Sequence, residues 1–206
     1  MSPSPLAVIF DLGGVLVDWN PRYLYAGLIA DPGAREAFLG EICTAEWNLS
    51  VDGGRPAAEA TAELVDRHPR HEALIRAYFE RWIEMVQGPL HDTVPILEAL
   101  AAKGVPLYAL TNWSAETFPL VRDAAGFGFL GHFRRIFVSG ELKMVKPDAA
   151  IFKHMLAEIG RRPEECLFID DNGANIAAAE ALGFVTHHFS AAPSLRAELE
   201  RHGLLA

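Results

Sequence analysis

Short apolar runs along this chain alternate with stretches whose apolar positions recur every three or four residues. Runs of the first kind lie at 6–10, 105–111, 136–139, 166–169 and 184–187. An apolar run of this length with no polar alternation marks a strand buried on both faces. Helical patterns separate these runs, at 93–103, from Ser114 to about 125, from Asp148 through 159, from Asn172 or Gly173 to 182, and from Ser194 onward. Gly104 and Gly183 stand where helices stop, as residues free to turn left-handed. Strands that alternate with helices predict an α/β fold, a Rossmann-like parallel sheet with helices on both faces.

One segment breaks the alternation. From 21 to 87 the pattern gives no strand, only helices at 23–30, 34–43, 57–68 and 72–87, with a loop at 50–56. A crossover between parallel strands needs roughly a dozen residues, and this insert is several times longer. It predicts a small all-helical cap domain over residues 18–87, on a core formed by 1–17 and 88–206. The chain leaves the core at Asp18 and Trp19, where a hinge or flap is expected.

Composition narrows the partners. The net charge of −9 over 206 residues, with no cluster of Lys and Arg, argues against nucleic acid. No apolar stretch is long enough to span a bilayer, and the N-terminus shows no signal peptide, so a cytoplasmic protein is expected, monomeric or homodimeric. The two cysteines, Cys43 and Cys166, predict no disulfide in that setting.

The chemistry gathers at the ends of the predicted strands. The first ends in Asp11, followed by Gly13 and Gly14; the second in Thr111-Asn112; Lys146 and Pro147 follow the third; the fourth ends in Asp170-Asp171, with Asn172 and Asn175 beyond. Each alone is an ordinary turn or helix start. In a parallel sheet all four share the carboxyl edge, where open α/β folds bind ligands. Carboxylates with a free carbonyl suit Mg²⁺, a hard cation that takes oxygen ligands. A lysine and a hydroxyl suit a transferring phosphoryl group, and a carboxylate can attack phosphorus and split one hard step into two. The pattern points to a small-molecule phosphate substrate.

With these residues in this order, the chain resembles the haloacid dehalogenase-like hydrolases over nearly its whole length. Asp11, Thr111, Lys146 and Asp170-Asp171 fall on the four motifs of that family, and the helical insert falls where its cap does. The resemblance implies that Asp11 is the nucleophile and a metal ligand, and that Thr111, Asn112 and Lys146 hold the phosphoryl group. It also implies Mg²⁺ bound by Asp11, the Gly13 carbonyl and Asp171, with Asp170 in or near the same shell. The expected activity is Mg²⁺-dependent hydrolysis of a small phosphorylated metabolite, a sugar phosphate in preference.

Gly13 departs from the pattern. Phosphatases of this family usually carry there a second Asp that moves the proton. Its absence leaves two other readings open, a metal-independent 2-haloacid dehalogenase and a catalytically idle relative. The paired Asp170-Asp171 favour metal, and so phosphate. The predicted cap offers Arg22, Arg55, Arg76, Arg81, Trp47 and Asp52 toward a polar substrate; Trp47, the substrate-binding candidate among them, either stacks on a sugar or packs the cap, and Asp18 is the first suspect for the missing proton source.

Overall fold

The computed structural model describes residues 6–206. Its main sheet has five parallel strands in the order β5-β4-β1-β6-β7, with β1 at Ala7–Phe10, β4 at Leu107–Thr111, β5 at Arg135–Val138, β6 at Cys166–Asp170 and β7 at Val185–His188. Strand β1 is central and pairs in parallel with β4 on one side and β6 on the other. The strand order therefore reverses at β1, which puts the ligand crevice beyond its carboxyl end.

Successive side chains of β1 point to opposite faces. Val8 and Phe10 join one buried cluster with Leu97, Leu100, Leu195 and Leu199. Ala7 and Ile9 join another with Phe152, Met155, Ile176 and Ala179. The expected two-faced α/β sheet is thus present. Helices α6 (Val94–Ala102) and α11 (Ala192–Arg201) cover the first face; α9 (Ala149–Ile159) and α10 (Gly173–Ala181) cover the second. Asp148 and Asn172 cap α9 and α10, accepting from the backbone N–H of Ala150 and Ala174.

The insert at 21–87 is richer than its pattern predicts. It carries five α-helices, α1 to α5, at Pro21–Leu28, Pro32–Glu41, Ala45–Asp52, Ala57–Arg67 and Glu72–Glu80. The expected loop at 50–56 starts three residues too early, because α3 runs through Asp52. The expected helix at 72–87 ends at Glu80, and β3 (Val86–Pro89) then pairs antiparallel with β2 (Val17–Trp19). Long-range pairing across the base of the insert decides this small sheet, and local periodicity carries no trace of it. The helix expected from Ser114 is only the short α7, Phe118–Arg122. The last helix begins at Ala192, two residues before Ser194.

Among the described residues no helix is long and apolar enough to cross a membrane, and both cysteines are buried and unpaired.

Candidate active site

The carboxyl ends of β1 and β6 and the segment after β5 bring four of the predicted residues together. Lys146 Nζ lies 2.6 Å from Asp170 Oδ2 and 3.1 Å from Asp11 Oδ1. One oxygen of each carboxylate of Asp11, Asp170 and Asp171 lies within 4.8 Å of the others. Three acids share one lysine, so the group carries an excess of negative charge.

The roles within the group differ. Asp170 is fully buried, and its oxygens are spent on protein donors. Oδ1 accepts from Asn172 N at 2.8 Å and Asn175 Nδ2 at 3.1 Å; Oδ2 accepts from Asn175 at 3.0 Å and Lys146 at 2.6 Å. It is built to hold Lys146. Asp11 Oδ1 accepts from Leu12 N at 2.7 Å and faces Lys146, while its second oxygen takes no hydrogen bond from a described residue. Asp171 is exposed and open to a cation. The carboxylate oxygens that the structure brings together, from Asp11 and Asp171 with Asp170 beside them, are of the hard kind that Mg²⁺ takes.

Electrostatics follow from burial. Asp11 is pushed up to about 7, chiefly by burial and then by Asp170 and Asp171, with Lys146 pulling the other way. Burial also raises Asp171, helped by Asp170. For Lys146 burial favours the neutral amine, but Asp11 and Asp170 outweigh it and hold the ammonium above its ordinary range. Lys146 is therefore a fixed positive charge and a poor proton donor.

Thr111 ends β4 and is buried. Asn112 was expected to hold the phosphoryl group; its side chain is engaged elsewhere. Nδ2 donates to the Lys146 carbonyl and Oδ1 accepts from the Lys146 N–H, both at 2.8 Å. The amide thus grips the backbone of the lysine, and only the main chain of Asn112 is free for a ligand. Gly14 has a left-handed φ of +73°, and a Cβ there would lie 2.3 Å from Asp171 Oδ2. A side chain at 14 would drive that carboxylate away.

A cleft opens beside the cluster, lined by Gly13, Trp19, Asn48, Asp52, Trp82, Asn112 and Trp113. Of the residues expected in the insert, Asp52 reaches it. Trp47 does not: it is buried within the insert, its indole donates to the Ala60 carbonyl at 3.1 Å, and its ring packs on Tyr78 and Phe79. Of the two readings of Trp47 the structure gives packing, because helix α3 turns it inward and presents Asn48 and Asp52, four residues apart, on another face. The four arginines pair with Glu36, Glu59 and Glu63, Glu72 and Glu84 on the surface of the insert. Asp18 accepts from the Tyr23 hydroxyl at 2.9 Å and lines a separate depression with His91 and Phe189.

Asn48, Trp82 and Trp113 were not anticipated. A signal for α3 was present in Thr44, an N-cap residue that accepts from Trp47 N. Once 45–52 is helical, Asn48 shares a face with Asp52. Nothing local marks Trp82 or Trp113; their rings meet at 5.4 Å only across the fold.

A family profile described as haloacid dehalogenase-like hydrolase matches residues 5–183. A sesquiterpene phosphatase of Aspergillus oryzae is 31% identical over 185 residues, 89% of each chain. A phosphoglycolate phosphatase of Yersinia pseudotuberculosis is 28% identical over 85% of this chain and 77% of its own. Among solved structures, a HAD family enzyme of Bacteroides thetaiotaomicron in a magnesium complex superposes with a TM-score of 0.70 over 91% of this chain and 94% of its own, at 22% identity.

Proposed function

This chain belongs to the haloacid dehalogenase-like hydrolases, as a phosphatase-type member, and from that premise we propose a Mg²⁺-dependent phosphatase that acts on a small phosphorylated metabolite through an aspartyl-phosphate intermediate. The observation that carries this reading is the division of labour in the acidic cluster. Asp170 is spent on Lys146, while buried Asp11 keeps one oxygen that takes no hydrogen bond from a described residue and Asp171 is exposed. A dehalogenase has no need of the second open carboxylate, and an idle binder has none for the buried pair.

The second Asp11 oxygen, which takes no hydrogen bond from a described residue, is the attacking atom. Lys146, held by Asp170 and by Asn112, presents a fixed positive charge to the phosphoryl oxygens. Thr111 and the main chain of Asn112 line the same strand end. Asp11, Asp171 and the Gly13 carbonyl would hold Mg²⁺, which when bound would neutralise charge on the transferring phosphoryl group. The helical insert, residues 18–87, acts as the cap that closes over the substrate.

A sugar phosphate is the favoured substrate. Three tryptophans, Trp19, Trp82 and Trp113, line the cleft together with Asn48, Asp52 and Asn112. Its residues also hold three buried polar atoms with no protein partner among those described, Trp19 Nε1, Trp113 Nε1 and Asn48 Oδ1. The aromatic walls also support a second reading, a terpenyl phosphate like the substrate class of the Aspergillus relative.

The test is a screen of sugar phosphates, terpenyl phosphates, aryl phosphates and 2-haloacids, with and without Mg²⁺. Turnover of phosphate esters that stops with chelator supports the reading. Full turnover in excess chelator, or haloacid cleavage alone, overturns it. Asp11→Asn should abolish turnover and leave the fold intact, because an amide of the same shape is a poor nucleophile.

A further inference from the structure

Breaking a phosphate ester leaves an alkoxide unless a proton arrives as the bond breaks. Few groups at this site can supply one. Lys146 is locked between two carboxylates, Asp170 has every oxygen engaged, and Asp18 lines a different depression. The Gly13 position holds only open space, with nothing within 4 Å of where a Cβ would be. One further carboxyl group lines the same cleft as Gly13, and it comes from the insert: Asp52, at the end of α3.

We propose that Asp52 is the proton donor and acceptor of this enzyme, carried on the cap and lowered into the space that Gly13 leaves open. The proposal rests on the phosphatase reading. In the first step an Asp11 oxygen bonds to phosphorus and the P–O bond to the leaving group breaks. Its electron pair goes to the ester oxygen, which takes the Asp52 proton and leaves as an alcohol. In the second step a water oxygen bonds to phosphorus and the bond to Asp11 breaks, restoring that carboxylate. Asp52 takes the proton of the water, and inorganic phosphate departs. The sum is ester plus water to alcohol plus phosphate, with Asp52 returned to its starting state.

Several features fit this role. Asp52 is held in place: Asn48 Nδ2 donates to its Oδ2 at 2.8 Å, the Ser114 backbone N–H bonds its carboxylate, and the Ser139 hydroxyl donates to its carbonyl at 2.6 Å. Ser114 and Ser139 follow β4 and β5, so Asp52 is registered to the core and not only to the insert. The titratable groups that face it are Asp11 from β1 and Tyr78 from α5. Burial, then the charge of Asp11, push it up to about 7, against the bond from Ser114. A carboxyl group in that range can both give and take a proton near neutral pH. The arrangement also couples chemistry to closure, since a lifted cap removes the acid from the site.

The experiment measures kcat/KM of the Mg²⁺-loaded enzyme over phosphate esters of graded leaving-group acidity, from p-nitrophenyl phosphate through phenyl phosphate to glycerol 3-phosphate. This parameter reports the steps up to departure of the leaving group. Wild type should show a shallow dependence. Asp52→Asn should lose about 10²–10⁴-fold on glycerol 3-phosphate, the range a general acid supplies, and far less on p-nitrophenyl phosphate. Gly13→Asp in the Asp52→Asn background, which places a carboxyl group in the same cleft, should recover part of the loss. Ser139→Ala, which loosens the latch without touching the carboxyl group, should lose more on glycerol 3-phosphate than on p-nitrophenyl phosphate, in the same direction as Asp52→Asn and less severely. Equal losses across the series for Asp52→Asn, with beryllium fluoride binding intact to show a folded site, would reduce Asp52 to a structural latch and overturn the proposal. A steep wild-type series overturns it without any variant. Absence of turnover on every ester in wild type instead removes the phosphatase reading, and this proposal with it.

Discussion

Asn112 and Lys146 are joined end to end, the side-chain amide of one bonded to both the N–H and the carbonyl of the other at 2.8 Å. The bond fixes the lysine backbone to the end of β4, while Asp170 fixes its ammonium at 2.6 Å. Lys146 is thereby held at both ends. Asn112→Ala frees the backbone end and leaves the charge in place. A misplacement of about 1 Å can cost on the order of 10²-fold in rate. The variant should lose kcat/KM on that scale and bind beryllium fluoride more weakly. A kinetic comparison with a fluoride titration checks both.

Asp170 and Asp171, adjacent in sequence, should fail in different ways. Asp170→Asn breaks a fully buried ion pair, and removing one partner of such a pair costs about 3–5 kcal/mol. Urea unfolding should show that loss. Asp171→Asn touches an exposed carboxylate and should unfold as wild type does. Its deficit should instead appear as a higher Mg²⁺ concentration for half-maximal activity, measured by metal titration.

The two glycines after the nucleophile should separate just as clearly. Gly14→Ala meets both a left-handed φ of +73° and a contact of 2.3 Å with the Asp171 carboxylate. The backbone conformation alone costs roughly 1–2 kcal/mol, and displacement of the carboxylate should weaken the Mg²⁺ response further. Gly13→Ala meets open space and is not among the left-handed glycines, so it should fold and retain its metal response. Thermal melts with Mg²⁺ titrations on the two variants provide the check.

Asp52 makes stability depend on pH. Its carboxyl group ionises at about 7 in the fold against an ordinary value of 3.8. Between those values the folded chain holds a proton that the unfolded chain has released, so stability falls as pH rises through this window. Asparagine cannot ionise. Asp52→Asn should match wild type near pH 4 and exceed it at pH 8, by at most about 4 kcal/mol at about 1.4 kcal/mol per pH unit. Urea unfolding across that range checks the sign. A gain in stability from losing an active-site acid is the expected trade of function against stability.

The chain itself determined the sheet and the cluster. Uninterrupted apolar runs give buried parallel strands, and a buried parallel strand delivers its last residue to one edge. Asp11, Thr111 and Asp170 were therefore legible as neighbours from their positions at the ends of runs, with Lys146 beside them. The size of the insert was legible because a crossover needs far fewer residues. Tertiary structure alone decided which face each residue of the insert presents. Trp47 turns inward to Tyr78 and Phe79, while Asn48 and Asp52, on the same helix, turn to the cleft. It also decided the pairing of β2 with β3 and the meeting of Trp82 with Trp113. Those outcomes depend on contacts between segments far apart in the chain, and periodicity reports only the burial of a residue's own face. Asn112 shows the same limit at one position: its place at a strand end was readable, but whether its amide faced a ligand or the backbone of Lys146 was fixed by where residue 146 came to lie.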